Sequence, residues 1–244
     1  MKSVLSILKV IWIYLWAILL TVAVFLPIIV VSILGSTGNA AFTISKLWAW
    51  VMLKVTAVRP VIRGQEKIKR GQSYVIIANH QSLFDILALV MTLGIQFRWI
   101  IKRELLNIPL FGHALFASRN IFIDRSNREK AIASMQKGVR HLPPGASIMC
   151  FAEGTRSSDG VVQDFKKGGF ALAIEQKFPI LPVTVNGGNS ILPKGQSVFQ
   201  PGPMEVIVSD PLDTTSYDLE TIDELMAETR AIIISNLALN YPTR

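Results

Sequence analysis

A histidine and an aspartate five residues apart, His80 and Asp85, are the pair in this sequence best suited to proton transfer. An aspartate that accepts a hydrogen bond from one ring nitrogen of a histidine fixes its tautomer and leaves the other nitrogen free to take a proton. Positions i and i+5 point to different sides of a regular helix, so the two can meet only if His80 precedes a helix. The spacing therefore predicts that His80 follows the apolar strand "YVIIA" and that Asp85 lies in the first turn of the next helix.

Asp85 has a second interpretation. Ser82 is a good N-cap, and Asp85 three residues later completes a Ser-x-x-Asp capping pattern. In that role Asp85 would only stabilise the start of the helix, where the helix dipole favours an acid. The sequence alone leaves both roles open.

No residue near this pair has the setting of an enzyme nucleophile. Ser82 lacks a Gly-x-Ser-x-Gly environment, and Cys150 lies in the apolar run "SIMCF", which is typical of an inert core residue. A base without an enzyme nucleophile indicates that the substrate supplies one. We therefore expect a hydroxyl to attack an activated acyl group directly, with both substrates bound. The lone cysteine also excludes an internal disulfide and a cysteine-based structural zinc site.

Basic residues follow three further apolar runs. These are Lys102 in "IIKRELLNIPLFG", Arg125 in "RNIFIDRSN" and Arg156 in "CFAEGTRSSDG", the last preceded by Glu153, Gly154 and Thr155. Arg and Lys at strand ends are the usual ligands of a phosphate group, which Arg can hold with two parallel hydrogen bonds. Each of them alone is more often a surface cation. Together with the apolar N-terminus they indicate a phosphorylated lipid.

The N-terminal 58 residues are typical of a membrane segment. They contain four lysines and no acid, and no charge at all occurs from Val10 to Ser45. A helix within Val4–Leu34 of about 25 residues would be about 37 Å long, enough for a bilayer core of about 30 Å. After the breakers "GSTGNA", a second apolar stretch runs from Ala41 to Val58. We predict a membrane helical hairpin over residues 1–58, and the sequence does not decide whether it spans or lies within one leaflet.

Residues 59–244 are predicted to form an α/β domain, a mixed sheet flanked by helices. Their net charge is +4, and no basic block is interleaved with aromatics, which disfavours nucleic acid as a partner. Short apolar runs alternate with amphipathic ones, the pattern of strands and helices in an α/β sheet. The predicted strands are Tyr74–Ala78, Arg98–Ile101, Ile121–Ile123, Ser147–Phe151, Ile180–Val185 and Glu205–Ser209. The predicted helices are Ser82–Thr92, Arg128–His141, Lys167–Gln176 and Leu219–Leu239.

Four ordered motifs between Tyr74 and Gly188 resemble the glycerolipid acyltransferases, above all the 1-acyl-sn-glycerol-3-phosphate acyltransferases. They are "NHQSLFD", which matches N-H-x-x-x-x-D, then "IFIDR", "EGTR" and "FPILPV". "KRELLNIPLFG" and "DFKKGGF" also resemble segments that the family carries between its motifs. Two residues depart from the pattern: Arg119 replaces the usual Gly before the second motif, and Ala152 replaces the usual Pro before the third.

The resemblance implies a reaction and a set of roles. His80 would be the general base on the sn-2 hydroxyl of lysophosphatidic acid, oriented by Asp85, and the acyl donor would be acyl-CoA or acyl carrier protein, with phosphatidic acid as product and no acyl-enzyme. Arg156, Thr155, Arg125, Lys102 and, more weakly, Lys167 would form the phosphate-binding region. Glu153 would brace its loop, and Gly154 would let the backbone come close. Pro179 and Pro182 would belong to the acyl-donor motif or simply stiffen the start of a strand.

Three other functions remain open from the sequence. A related acyltransferase could use glycerol-3-phosphate or another lysophospholipid, a thioesterase could use water, and a non-catalytic protein could bind membrane lipids. No metal or redox cofactor is expected. We expect a membrane location, the bacterial inner membrane with the catalytic domain facing the cytoplasm, because acyl thioesters occur there.

Overall fold

A seven-stranded mixed sheet forms the centre of the computed structural model, which describes residues 4–124 and 126–238. The strands are β1 (Val58–Arg63), β2 (Val75–Ala78), β3 (Phe97–Lys102), β4 (Ile121–Ile123), β5 (Ser147–Phe151), β6 (Ile180–Asn186) and β7 (Gly202–Val208). Their order in the sheet is β1-β7-β6-β2-β5-β3-β4. The five strands from β6 to β4 are parallel, whereas β7 is antiparallel to β6 and β1 is parallel to β7. The carboxyl ends of the five parallel strands therefore meet along one edge, which we call the carboxyl edge.

Helices cover both faces of this sheet. They are α1 (Val4–Leu34), α2 (Asn39–Val55), α3 (Leu83–Thr92), α4 (Phe111–Ala117), α5 (Arg128–Arg140), α6 (Lys167–Gln176), α7 (Gly188–Ile191) and α8 (Ile222–Ser235). Alternate residues of β2 point to opposite faces, so Ile76 packs in the core under α2 and α3, and Ile77 in the core under α6 and α8. Every residue of β2 and of β6 is buried, as expected for central strands covered on both sides.

The fold predicted from the sequence is confirmed, with three elements added: β1, α4 and the four-residue helix α7. β4, β5 and α6 have the predicted bounds, α1 fills the whole range Val4–Leu34 in which a helix of about 25 residues was predicted, and most other predicted elements differ by one to three residues at their ends. β1 was missed because "VRPVIR" contains a proline and two arginines; it lies at the sheet edge, where a proline costs no ladder hydrogen bond. α4 was missed because "FGHALFA" is only seven residues long and has no side-chain cap.

The N-terminal hairpin lies along the body of the domain. At the start of α1, the Lys9 ammonium lies 3.0 Å from Oε1 of Gln200, and the indole N–H of Trp12 donates to the carbonyl of Val55 at 2.8 Å. Further along, Val24 and Ile28 are buried in a cluster with Ala114 of α4. In the described parts of the chain, α1 is the one helix that by length and composition could cross a membrane, and most of its surface is exposed.

α2 is part of the domain core. Phe42, Ala49, Met52 and Leu53 are each at most 5% exposed and belong to the same apolar cluster as β2, β6 and α3. The predicted boundary near residue 58 thus coincides with the end of α2 and the start of β1, while the packing between the two sides is continuous.

Arg98 fixes the turn of the hairpin to the sheet. Its guanidinium donates to the carbonyl of Thr37 at 2.8 Å and to Oδ1 of Asn39 at 2.5 Å, and none of its hydrogen bonds described here reaches a carboxylate. The side chain is fully buried, and this burial lowers the pKa of Arg98 to about 10. A buried cation of this kind favours one position of the hairpin turn on the sheet, because in any other position the guanidinium would lose its hydrogen-bond partners.

The two departures from the family pattern are accommodated locally. Arg119 has φ 61°, in the left-handed region that favours glycine, and its aliphatic stem packs over Gly38 in the hairpin turn. Ala152 is buried, and its carbonyl accepts a hydrogen bond from the backbone N–H of Lys166 at 2.7 Å.

Candidate active site

His80 lies in the short loop between β2 and α3, at the carboxyl edge. Its Nδ1 is 3.0 Å from Oδ2 of Asp85, and both side chains are at least about nine-tenths buried. α3 begins at Leu83 with Ser82 as its N-cap, so Asp85 lies in the first turn and His80 precedes the helix. The structure therefore brings the pair together in the way that the spacing predicts.

A single oxygen of Asp85 makes three contacts. Besides Nδ1 of His80, Oδ2 accepts the backbone N–H groups of Gln81 and Ser82, each at 2.7 Å. The second and third contacts are those of a cap, and Ser82 completes the capping box. Helix capping and histidine orientation are therefore done by the same atom. Because a carboxylate oxygen only accepts hydrogen bonds, Nδ1 of His80 carries the proton and Nε2 keeps its lone pair.

Gly188 is a residue of the site that sequence reasoning missed. A side chain at this position would overlap Oδ1 of Asp85 and press on Cβ of Ser82. The backbone at the start of α7 thus closes over the buried Asp85, and only glycine leaves room for it. The double glycine in "VNGGNS" after β6 is the sequence signal that could have pointed to a close approach.

Glu153 braces the base from the neighbouring strand. Its Oε1 accepts the backbone N–H of His80 at 2.6 Å, and its Oε2 accepts that of Gln163 at 2.9 Å. The side chain is 3% exposed, and burial raises the pKa of Glu153 to about 7. Both oxygens thus accept hydrogen bonds from backbone N–H groups, and the carboxylate links the segments that follow β2 and β5. This agrees with the bracing role.

The loop after Glu153 is tied to the base by two further hydrogen bonds. The N–H of Ser157 donates to the carbonyl of His80 at 2.8 Å, and the side-chain amide of Gln81 donates to the carbonyl of Gly160. Gly154 turns this loop with φ 76°, a conformation for which glycine is suited. The position of the loop and the position of the base are therefore set together.

The loop presents a small cationic group at the carboxyl edge. Arg156 is half-buried and Thr155 is exposed. The ammonium of Lys194, from the turn after α7, lies 2.8 Å from the carbonyl of Arg156 and 3.3 Å from Oγ1 of Thr155. Lys194 was not predicted, since "LPKG" reads as an ordinary turn and only the tertiary fold brings it here.

Two other predicted cations stand in surface ion pairs. Lys102 at the end of β3 contacts Glu104 at 3.3 Å, and Lys167 at the start of α6 contacts Asp223 of α8 at 2.8 Å. All four side chains are more than half exposed, so both pairs are readily exchanged for a ligand. Arg125 lies outside the described residues.

The two prolines of the fourth motif lie just before β6 and within it. Pro179 precedes β6 and its carbonyl accepts the N–H of Val75 at 3.1 Å, so it lies at the edge opposite to His80. Pro182 is buried opposite Ile77 in the β2–β6 pairing. These positions suit the stiffening role, and both prolines are separated from the carboxyl edge by the remainder of β6.

An apolar cavity of about 830 Å³ adjoins the site. Its interior is lined by side chains of β4, α5 and α6, including Ile123, Met135 and Leu172, and its polar rim includes Glu153 and Thr155. The volume lies within the range of about 300–1,000 Å³ that is usual for ligand pockets. Phe151 separates the cavity from the base, since it lines the cavity and its ring also stacks on His80.

Residues 59–186 match the sequence model of the family described as Acyltransferase. The chain belongs to this family. The matched range holds His80, Asp85, Glu153 and Arg156, so the family assignment covers the site as well as the sheet. In the described ranges, no group of three or more His, Cys, Asp and Glu side chains is arranged to hold a metal ion.

Relatives with an assigned activity come from several kingdoms. A 1-acyl-sn-glycerol-3-phosphate acyltransferase of Limnanthes alba is 33% identical over 72% of this chain and 62% of its own length. One of Saccharomyces cerevisiae is 29% identical over 86% of this chain and 70% of its own length. The crystal structure of the 1-acyl-sn-glycerophosphate acyltransferase PlsC from Thermotoga maritima aligns with a TM-score of 0.81 at 25% identity, covering 96% of this chain and 95% of that one. The chain spans about half to two thirds of the length of several curated relatives that it matches.

Proposed function

We propose that this acyltransferase-family chain transfers an acyl group from a thioester, acyl-CoA or acyl carrier protein, to the sn-2 hydroxyl of lysophosphatidic acid, giving phosphatidic acid for phospholipid biosynthesis. The observation that carries the proposal is the buried His80–Asp85 pair at the carboxyl edge, with Nε2 of His80 left as a proton acceptor. The names of the relatives supply the substrates, and the geometry supplies the chemistry that such substrates need.

The reaction needs one proton acceptor and no enzyme nucleophile. Nε2 of His80 removes the proton from the acceptor hydroxyl as its oxygen attacks the thioester carbonyl. When the tetrahedral intermediate collapses, the carbon–sulfur bond breaks and the imidazolium returns the proton to the leaving thiolate. Asp85 stabilises the imidazolium between these steps. Ser82 cannot replace the hydroxyl as nucleophile, because it is fully buried and its Oγ donates to the carbonyl of Leu192.

The surroundings of the base suit an amphiphilic pair of substrates. Arg156, Thr155 and Lys194 offer cationic and hydroxyl groups to a phosphate monoester at the outer side of the site. The cavity between α5 and α6 offers apolar walls to an acyl chain, and its polar rim lies beside Glu153. Lys102, Arg125 and Lys167 are proposed as further phosphate ligands of lower weight.

The N-terminal hairpin is proposed to place the site at a membrane surface. Apolar side chains such as Ile18, Leu26 and Ile33 of α1 are between 61% and 78% exposed, while the opposite side of the helix packs on the body. A helix docked in this way suits insertion into one leaflet better than crossing the bilayer. Lys9 contacts Phe199, whose ring is 6.3 Å from that of Phe84 in α3, so the start of α1 lies near the carboxyl edge. The bacterial inner membrane and a cytoplasmic orientation stay predictions, since the relatives include chloroplast and yeast proteins.

The test is phosphatidic acid formation by the full-length chain in lipid vesicles, with lysophosphatidic acid and a labelled acyl thioester. We expect product from the wild type and a loss of about a hundredfold to ten-thousandfold in His80→Ala, since general-base catalysis contributes about 10²–10⁴. His141→Ala is the matched control, because this exposed histidine is the C-cap of α5 and its Nδ1 contacts the backbone carbonyl of Lys137.

Each other outcome assigns a different function. Activity only with glycerol-3-phosphate would change the acceptor, and release of free fatty acid without an acceptor would indicate a thioesterase. No turnover with any acceptor by a folded, lipid-bound chain would indicate a lipid-binding protein. Full activity of folded His80→Ala would remove His80 from the mechanism.

A further inference from the structure

The imidazole of His80 lies flat against the ring of Phe151. The ring centroids are 3.7 Å apart and the planes differ by 6°. Two neutral aromatic rings prefer offset or edge-to-face contacts with centroids about 4.5–7 Å apart, because a direct face-to-face overlap sets like charge against like. A cation over a ring face is attracted instead. A stack of this geometry therefore stabilises the imidazole more once it has taken a second proton than while it is neutral.

Phe151 is itself held in place. Its ring lies 5.4 Å from that of Trp99, which makes an edge contact at 5.2 Å with the fully buried Phe97. Phe97 in turn contacts Phe42 of α2 at 4.8 Å. The face on which His80 rests is thus the end of a packed aromatic row that starts at the N-terminal hairpin, and it has little freedom to move away.

The imidazole is fixed on three sides by different groups. Asp85 holds its Nδ1 edge, Glu153 holds its backbone N–H, and Phe151 covers one ring face. The first two set the position of the residue and the tautomer. Among the contacts described here, the stack with Phe151 is the one on a ring face, so it directly opposes rotation of the ring out of its plane.

We propose that Phe151 is a positioning residue that holds the imidazole of His80 in its reactive plane and stabilises the imidazolium formed when the base takes the proton of the acceptor hydroxyl. This inference rests on the proposed role of His80 as the base. It assigns Phe151 to the chemical step and not to substrate binding, although the residue also lines the cavity.

The experiment compares three substitutions in the full-length chain in lipid vesicles. Phe151→Leu and Phe151→Met keep an apolar side chain without a ring, and Phe151→Tyr keeps the ring. We expect the ringless variants to lower kcat about three- to thirtyfold, the effect of a cation–ring contact of moderate strength, with little change in either KM. The Tyr variant should recover most of kcat. Phe170→Leu, in the fully buried core under α6, is the control for a mere loss of stability.

A second readout does not depend on turnover. The ring protons of His80 can be followed by NMR of isotope-labelled histidine in micelles, with the ring protons of His113 and His141 as internal references. Loss of the aromatic ring at position 151 should move the His80 resonances downfield, because a proton over the face of a stacked ring is shielded. This change in a folded chain that shows no turnover would leave the present inference standing and overturn the proposed function.

Either of two outcomes for kcat would overturn the proposal. One is an unchanged kcat together with unchanged His80 ring-proton resonances in the ringless variants. The other is an equal fall of kcat in the Leu, Met and Tyr variants, which would mean that shape at position 151 matters and the ring face does not. A rise in KM for the thioester alone, with kcat intact, would also assign Phe151 to the cavity wall only.

Discussion

The proposed base and the proposed phosphate-binding cations of this site are built in opposite ways. His80, Asp85 and Glu153 are at most 9% exposed, and each is held by hydrogen bonds to neighbours in the site. Arg156 is half-buried, Lys194 is exposed, and the hydrogen bond between them is made by a backbone carbonyl. The proton-transfer machinery is thus completed during folding, whereas the acceptor-binding groups remain free to adjust to what they bind.

This difference suggests that the buried groups serve catalysis and the exposed loop serves substrate binding. A general base must be held within a few tenths of an ångström of its reactive position, which buried and mutually bonded groups can ensure. A phosphate held by mobile cations at a loop tolerates more variation, because the attraction is long-ranged and several geometries serve. Changes in the buried group should therefore affect kcat, and changes in the loop should affect KM.

After His80→Ala, the largest effect is expected for Asp85→Asn. Asparagine keeps an oxygen for the helix cap but removes the charge that stabilises the imidazolium, so kcat should fall about a hundredfold or more. The unfolding midpoint should move much less than this loss would suggest. A variant with wild-type turnover and a strongly lowered midpoint would show that Asp85 is a cap alone. Steady-state kinetics and thermal unfolding on the same preparation decide between the two.

An intermediate effect is expected for Arg156→Ala. A charge-assisted hydrogen bond to phosphate contributes about 1.5–3 kcal/mol, so KM for lysophosphatidic acid should rise about ten- to a hundredfold with kcat nearly unchanged. Lys102→Ala should have a smaller effect, since its ammonium already faces Glu104. Arg140→Ala, an exposed arginine at the end of α5, is the control. An unchanged KM in Arg156→Ala would remove this residue from the acceptor site.

The smallest effect on turnover is expected at Glu153, where the change concerns the stability of the fold and its dependence on pH. Its pKa in the folded chain, about 7, lies above the value of 4.5 for a free side chain, so the folded state binds the proton more tightly. The stabilisation is complete below about pH 4.5 and is lost as pH rises through 7. We expect the free energy of unfolding of the wild type to fall by up to about 3 kcal/mol over this window relative to Glu153→Gln. If the free energies of unfolding of the two proteins changed equally with pH, Glu153 would not titrate in this pH range.

Much of the buried half of the site follows from the sequence, and little of the exposed half does. The Ser82–Asp85 spacing specifies a capped helix start, and that cap alone places Asp85 within reach of His80. This cap and its distance from His80 can be inferred from the seven residues "NHQSLFD" alone. By contrast, Lys194 lies 39 positions from Thr155 in the chain and reaches it because β6 and β5 run parallel on either side of β2, which brings the segments after them to the same edge.

The stacking of Phe151 and the glycine at 188 belong to the same class of unpredicted features. Phe151 ends a strand like many core aromatics, and nothing in its neighbours along the chain indicates that its ring meets His80. The Gly188 backbone meets Asp85 through the tertiary fold, 103 residues apart in sequence. α8 shows a milder limit: its amphipathic pattern starts at Leu219, but the carboxylate of Asp218 accepts hydrogen bonds from the backbone N–H groups of Glu220 and Thr221, and the helix begins at Ile222.

The shared core of α2 has a consequence for how such a chain can change. Removing a large buried side chain costs about 2–5 kcal/mol, and α2 supplies three of them besides Ala49, against a total stability of about 5–15 kcal/mol for a typical domain. A recombination event that replaced residues 1–58 by an unrelated anchor would leave the sheet open on one face. The hairpin and the sheet therefore depend on each other for stability, and the outward face of α1 is the part of residues 1–58 that can change at least cost to the core.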